Sequence, residues 1–194
     1  MARIAFIVDQ LFEDSEFRVP YDRARSAGHE CVIVGLEAQK SLRGKSGRET
    51  LTTEVAVREV KADEFDALVI PGGYSPDTLR TDVKMVGLVR QLFLSGKPVA
   101  VICHGGWMLA EADVAEDRTL TSWPSIRTDL LNAGARWVDR DVVEDGNLIT
   151  SRKPEDLPVF CAALLRQLRD GVAQRVKGAA PPQVPSEPPP GLRH

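Results

Sequence analysis

The sequence predicts an α/β domain built on a mostly parallel sheet with helices on both faces. Two observations carry that prediction. Short apolar runs rich in β-branched residues alternate with amphipathic stretches, and those runs lack the in-out polar alternation of a sheet with one wet face.

Ala2 to Val8 reads as the first buried strand, and the acidic segment FEDSEF after it leads into a helix reaching about Ala27, with Gly28 as its cap. Pro20 argues against an unbroken helix there. His29 to Gly35 is the next strand. Arg43 to Val57, a stretch punctuated by glycine and then alternating in polarity, predicts a hairpin excursion. Asp66 to Ile70 is a third buried strand that stops at Pro71-Gly72-Gly73. Asp77 to Leu94 has helical apolar spacing, and Lys97-Pro98 opens a strand that reaches Cys103. Beyond it the sequence predicts a helix, a short strand around Leu120, a helix in SIRTDLLNAG, strands at Arg136 to Val138, Asp141 to Glu144 and Leu148 to Ser151, and a final helix from Pro154 to about Arg169. One domain over residues 1–170 follows, with a proline-rich tail over 171–194 too poor in large apolar residues for a core.

The chain has 194 residues, 43% hydrophobic and 27% charged, enough for one core without disulfides or a structural metal. Its three cysteines, Cys31, Cys103 and Cys161, are far apart and odd in number, which argues against a disulfide framework and a zinc cluster. A net charge of −3 gives no electrostatic reason to expect nucleic acid as a partner. The longest apolar runs fall short of a membrane span and MARIAFIVDQ carries no cleavage-site pattern, so the expected compartment is the cytoplasm, with no membrane partner. No cofactor and no metal is predicted.

The chemistry centres on KPVAVICHGGWML, Lys97 to Leu109. A buried strand that ends in Cys103, His104 and two glycines and then turns amphipathic places a thiol on a sharp strand-to-helix elbow. A helix N-terminus there is expected to lower the thiol pKa. Cys31 and Cys161 lie within apolar patterns and read as core. Of the histidines His29, His104 and His194, only His104 is placed to act as a base, and it needs an orienting partner from elsewhere. Glu13, Asp14 and Glu16 follow the first strand. Asp14 reads as an acid complementing the helix dipole, whereas one of the glutamates could be a buried, protonated carboxyl facing the thiol, and the residues do not choose between them. Pro71-Gly72-Gly73 can present backbone N–H groups to an oxyanion beside Cys103. Gly44-Lys45-Ser46 resembles the end of a phosphate loop, but Gln39 stands where its first glycine belongs. Trp107 and Trp123 read equally as core or as pocket wall.

Taken together, FEDSE, FDALVIPGGYSPD, GKPVAVICHG, TSWP at Thr121 to Pro124, LNAG at Leu131 to Gly134 and TSRKPEDL at Thr150 to Leu157 resemble the PfpI-type intracellular cysteine peptidase family, in the superfamily of the parkinsonism-linked deglycase and class I glutamine amidotransferases. The resemblance implies a flavodoxin-like three-layer sandwich. It implies Cys103 as nucleophile, Glu13 as the acid hydrogen-bonded to it, His104 as the neighbouring base, and the N–H groups of Gly73 and His104 as an oxyanion hole. Asp77 would reach His104 across a subunit interface, making the protein a homo-oligomer, a dimer or a hexamer. Gly106 stands where many members have proline, Asp77 where glutamate is usual, and Trp123, a pocket residue, where tyrosine is commoner.

The function so implied is that of a stress-response cysteine-dependent hydrolase of peptidase type. A glyoxalase or deglycase acting on methylglyoxal or its adducts is the rival enzyme, and a redox sensor or chaperone using oxidation of Cys103 is the non-enzymatic alternative. The substrates expected are a small aldehyde, a glycated compound or a peptide.

Overall fold

The computed structural model describes residues 1–172. The tail predicted over 171–194 lies outside the described residues from 173 onward. In chain order the elements are β1 (Arg3–Ile7), α1 (Asp14–Ser26), β2 (Glu30–Gly35), β3 (Ser41–Arg43), β4 (Thr50–Thr52), β5 (Val55–Ala56), β6 (Ala67–Ile70), α2 (Ser75–Leu79) and α3 (Val83–Leu94). They continue with β7 (Val99–Ile102), α4 (Gly106–Glu111), β8 (Thr119–Leu120), α5 (Arg127–Asn132), β9 (Arg136–Trp137), β10 (Val142–Asp145), β11 (Leu148–Ser151) and α6 (Leu157–Asp170).

The main sheet has seven strands in the order β10-β11-β7-β6-β1-β2-β5. All neighbours in it are parallel except β10 and β11, which form an antiparallel pair at one edge. The mostly parallel sheet is therefore as predicted. Chain progression reverses at β1: β2 lies on one side of it and β6 and β7 on the other. Carboxyl ends on either side of such a reversal leave a crevice between diverging loops, the usual ligand position in an open α/β sheet. An isolated bridge between Phe12 and Gly73 ties the two loops together across it.

Strands β1, β2, β6, β7 and β11 bury both faces, which is why their apolar runs do not alternate with polar residues. In β7, Val99 and Val101 pack toward Met85, Leu88 and Leu92 of α3 and Met108 of α4. Ala100 and Ile102 join the opposite layer with Phe17 and Tyr21 of α1 and Phe160 and Leu164 of α6. Each fully buried side chain of this size contributes about 1.5–3 kcal/mol relative to exposure, so the two layers hold the strand ends rigidly.

Three local expectations are revised. Helix α1 runs unbroken through Pro20. Proline removes the N–H that would pair with the Glu16 carbonyl, but Phe17, Pro20, Tyr21 and Ala24 are buried as one face, and that packing outweighs one lost bond. The single helix expected from Asp77 to Leu94 is two, because the Asp82 carboxylate accepts the N–H groups of Lys84 and Met85 and so starts α3 afresh. Pro154 opens a 3-10 turn, Pro154–Asp156, ahead of α6 instead of α6 itself.

Candidate active site

Three loops at the carboxyl ends of β1, β6 and β7 converge on one thiol. Backbone φ passes from −128° at Ile102 to +61° at Cys103, and a turn over Cys103–Gly105 runs directly into α4. A non-glycine residue held there stores about 1–3 kcal/mol of strain, supported here by the packed β7 strand beneath it. The geometry is that of a nucleophile elbow, which lifts a side chain above the sheet with backbone N–H groups beside it. Those of His104 and Gly73 act on the Cys103 thiol and favour its charged form.

The glycine pair is required by close approach. A methyl group on Gly72 would lie 2.6 Å from Cys103 Cβ, 2.6 Å from Glu16 Oε2 and 3.0 Å from the His104 nitrogen. Gly73 has φ +79° and presses on the Leu11 carbonyl. Glu13 donates its N–H to the Gly72 carbonyl at 3.1 Å, and Tyr74 donates to the Leu11 carbonyl at 2.9 Å, so the two loops are stitched into one wall.

The acid against the thiol is Glu16, and the assignment of Glu13 is corrected. Glu13 is the N-cap of α1, where its Oε2 accepts the Glu16 N–H at 2.7 Å and the Ser15 hydroxyl at 2.6 Å. Orphan N–H groups at a helix start claim the cap side chain. Glu16, three residues on, is buried, accepts the Gly72 N–H at 2.9 Å through Oε2, and stands close enough to Cys103 for each to shift the other's titration. Burial, then the charge of Glu13, pushes its pKa up to about 8, so the carboxyl is neutral at neutral pH.

The expectation of a depressed thiol pKa is revised for the same reason. Burial is the largest influence and raises it, a charged Glu16 would raise it further, and the His104 and Gly73 N–H groups oppose both. A neutral Glu16 removes the repulsion. Acid and thiol thus both rest protonated in a dry pocket, with Cys103 only 6% exposed.

His104 sits beside the thiol, with Nδ1 3.3 Å from Cys103 Sγ and Nε2 3.1 Å from Ser125 Oγ. Burial, then the charge of Lys45, lowers its pKa, so the ring is neutral. Donating from Nε2 to Ser125 leaves Nδ1 free to accept the thiol proton. Trp107 and Trp123 flank the ring, with centroids 5.1 Å and 6.5 Å away. Both tryptophans therefore wall the site.

Asp77 is not brought to His104 within one chain. Its carboxylate lies 3.8 Å from Arg80, whose guanidinium sits over the Trp107 ring at 5.3 Å. A surface depression of about 360 Å³ opens there between Asp77, Arg80, Trp107 and Asp129. Sequence reasoning missed Ser125, which only the approach of the TSWP segment to the elbow reveals, and Lys45, whose charge acts on both Glu16 and His104. Among the described residues no group of three or more His, Cys, Asp or Glu side chains is placed to hold a metal ion.

A buried Cys-Glu-His cluster on an elbow of a parallel α/β sheet defines a class of thiol-dependent proteins, and comparison with known proteins narrows it. The chain belongs to the DJ-1/PfpI family, whose profile matches residues 2–167. It is similar to Protein/nucleic acid deglycase 2 of Escherichia coli, with 46% identity over 167 residues, 86% of this chain and 97% of that one. General stress protein 18 of Bacillus subtilis is 41% identical over 159 residues, 81% of this chain and 92% of that one. Among solved structures, a two-domain protein of Anabaena variabilis with DJ-1/ThiJ/PfpI-like and ferritin-like domains superposes with a TM-score of 0.86 at 37% identity. That match covers 93% of this chain and 52% of the other, so this chain spans about half of the two-domain protein.

Proposed function

We propose that the protein is a cysteine-dependent hydrolase of small carbonyl compounds, of deglycase type, serving in stress response. The observation that carries the reading is the position of the Cys103 sulfur, 3.3 Å from a neutral His104 nitrogen, against a neutral Glu16, and under two backbone N–H groups. The thiol proton passes to His104 Nδ1 as sulfur bonds to the carbonyl carbon, and the displaced oxygen charge lies at the Gly73 and His104 N–H groups. Glu16 keeps its proton and donates it as a hydrogen bond to sulfur while sulfur carries charge. In an adduct the nitrogen leaves, protonated by the imidazolium, from the carbon that sulfur takes; with a free dicarbonyl the imidazolium returns its proton to the oxygen. Either way a hemithioacetal remains, the proton on its carbon moves through His104 to the neighbouring carbonyl carbon to leave a thioester, and water hydrolyses that thioester to a hydroxy acid, returning a proton to the thiol. The narrow exposure of Cys103 favours a small aldehyde or its adduct over a peptide backbone.

The names of the similar proteins support repair of glycation and a stress role. The same reading places the protein in the cytoplasm, where three unpaired cysteines suit a reducing environment. No described helix is long and apolar enough to cross a membrane. It also makes the protein a homo-oligomer, with Leu11, Tyr74 and Trp123, large apolar side chains exposed on the loops around the site, as the surface a second copy covers.

One panel tests this: methylglyoxal turnover, release of amine from its adducts, fluorogenic peptide cleavage and mass after mild peroxide, for wild type and Cys103→Ala. Turnover of the carbonyl substrates by wild type alone is expected. Equal turnover by both proteins removes the nucleophile, peptide cleavage alone makes the protein a peptidase, and selective Cys103 oxidation without turnover makes it a sensor.

A further inference from the structure

The turn between β3 and β4 is fastened to the site by a carboxylate that the chemistry does not use. Asp14 stands in the first turn of α1, as the sequence predicts, and its carboxylate is also buried beneath the β3–β4 turn, where Oδ2 accepts the Ser46 N–H at 2.9 Å and Oδ1 accepts those of Arg48 and Glu49 at 3.0 and 2.8 Å. Burial alone would raise its pKa, but these bonds hold it below the usual carboxylate value, so the clamp is charged at neutral pH. The fit depends on Gly44, where a methyl group would lie 2.4 Å from Asp14 Oδ1. Arg18 of α1 adds an ion pair to Glu49 at 2.7 Å.

This clamp fixes Lys45. Its N–H donates to the Phe12 carbonyl at 2.8 Å, and Phe12 is the residue that bridges to Gly73 of the thiol pocket. Lys45 is exposed, and among the described residues no carboxylate lies within ion-pair distance of its ammonium. Glu13, on the same wall, is occupied by the start of α1, and Asp14 by the turn itself. Its charge is felt by both Glu16 and His104, as its tie through Phe12 to the Gly73 loop of the thiol pocket requires.

We propose that Lys45, positioned by the Asp14 clamp, binds an anionic oxygen group, a carboxylate or a phosphate, on the carbonyl substrate of Cys103. This rests on Cys103 as the reacting nucleophile, and it narrows the substrate class to carbonyl compounds or adducts that carry negative charge near the reacting carbon. A strongly hydrated point charge beside a dry pocket selects by charge while leaving the reacting carbon free.

Alkylation of Cys103 by iodoacetate and by neutral iodoacetamide separates the two claims. Both form the same sulfur–carbon bond and expel iodide, the thiol proton leaving to the site or solvent, and they differ in charge. At low ionic strength Lys45→Met is expected to slow iodoacetate about fivefold or more with iodoacetamide changed less than about twofold, and Lys45→Arg to keep the wild-type ratio. Asp14→Asn is expected to lower the same ratio, which a mere loss of stability would not do. Protection of wild type by inorganic phosphate in excess of that by acetate assigns a phosphate, and the reverse a carboxylate. An unchanged ratio in Lys45→Met overturns the anion site with the nucleophile intact. A Cys103 that neither reagent labels overturns the nucleophile and the proposal with it.

Discussion

Glu16 is pinned against the Cys103 thiol by the Gly72 N–H, which donates to Glu16 Oε2 at 2.9 Å. One backbone bond from the β6 loop thereby sets where the α1 acid meets the β7 nucleophile. The second oxygen, Oε1, is buried without a partner of its own, a costly arrangement for a carboxylate and a tolerable one for a neutral acid.

The raised carboxyl makes stability pH-dependent with a definite sign. Unfolded, Glu16 titrates near 4.5; folded, it titrates at about 8. Between those values the folded protein holds a proton that the unfolded chain releases, so the benefit of the neutral acid is full below about pH 4.5 and is lost as pH rises toward 8. Glu16→Gln removes that slope. Melting temperatures across this range should fall more steeply with pH for wild type than for the variant, by the equivalent of a few kcal/mol over the window. Parallel curves would falsify the buried neutral acid. Glu13→Gln leaves the slope in place.

Gly72→Ala tests the close approach. The added methyl cannot be accommodated by a flexible side-chain tip, because the Cys103 Cβ and the His104 backbone nitrogen stand in its way. Iodoacetamide labelling of Cys103 should drop at least about tenfold and stability should fall by about 1–3 kcal/mol, read by denaturant unfolding. Labelling at the wild-type rate would show that the loops yield without disturbing the nucleophile.

Much of this was legible in the sequence, for physical reasons. Doubly buried strands such as Val99–Ile102 announce themselves as unbroken apolar runs, and Cys-His-Gly after such a run marks an elbow. The choice between Glu13 and Glu16 was not legible, since both flank the same helix start and only three-dimensional approach of Gly72 distinguishes them. Ser125 was hidden because a lone serine in a turn carries no pattern. The clamp made by Asp14 was hidden because an acid in a first turn has an ordinary explanation, whereas its partners lie 32 to 35 residues away. Asp82 as a cap inside a helical pattern was visible in principle, but apolar spacing on both sides masked it.

Ser125 holds the His104 ring. Its hydroxyl is the hydrogen-bond partner of His104 Nε2, at 3.1 Å, and without it the ring loses the interaction that selects a tautomer. Ser125→Ala should lower kcat about threefold to tenfold with little change in KM for a small carbonyl substrate, and Ser125→Thr should restore most of it. A change confined to KM would place Ser125 in substrate binding instead.

Asp77 offers the sharpest test of assembly. Within its own chain its carboxylate faces Arg80, while the His104 ring bonds to Cys103 and Ser125, so a contribution of Asp77 to His104 is looked for from a neighbouring copy. Asp77→Ala and Cys103→Ala would then each lack a different part of the same composite site. Mixed and reassembled, the two variants form heteromers in which the intact Cys103 of one chain faces the intact Asp77 of the other. For a symmetric dimer mixed at random, half the assemblies are mixed and one of their two sites is whole, so about a quarter of wild-type activity should return. Each variant alone should stay at least about tenfold below wild type. Activity of Asp77→Ala at the wild-type level removes the residue from the site, and two inactive variants that fail to complement on mixing confine Asp77 to a role in its own subunit.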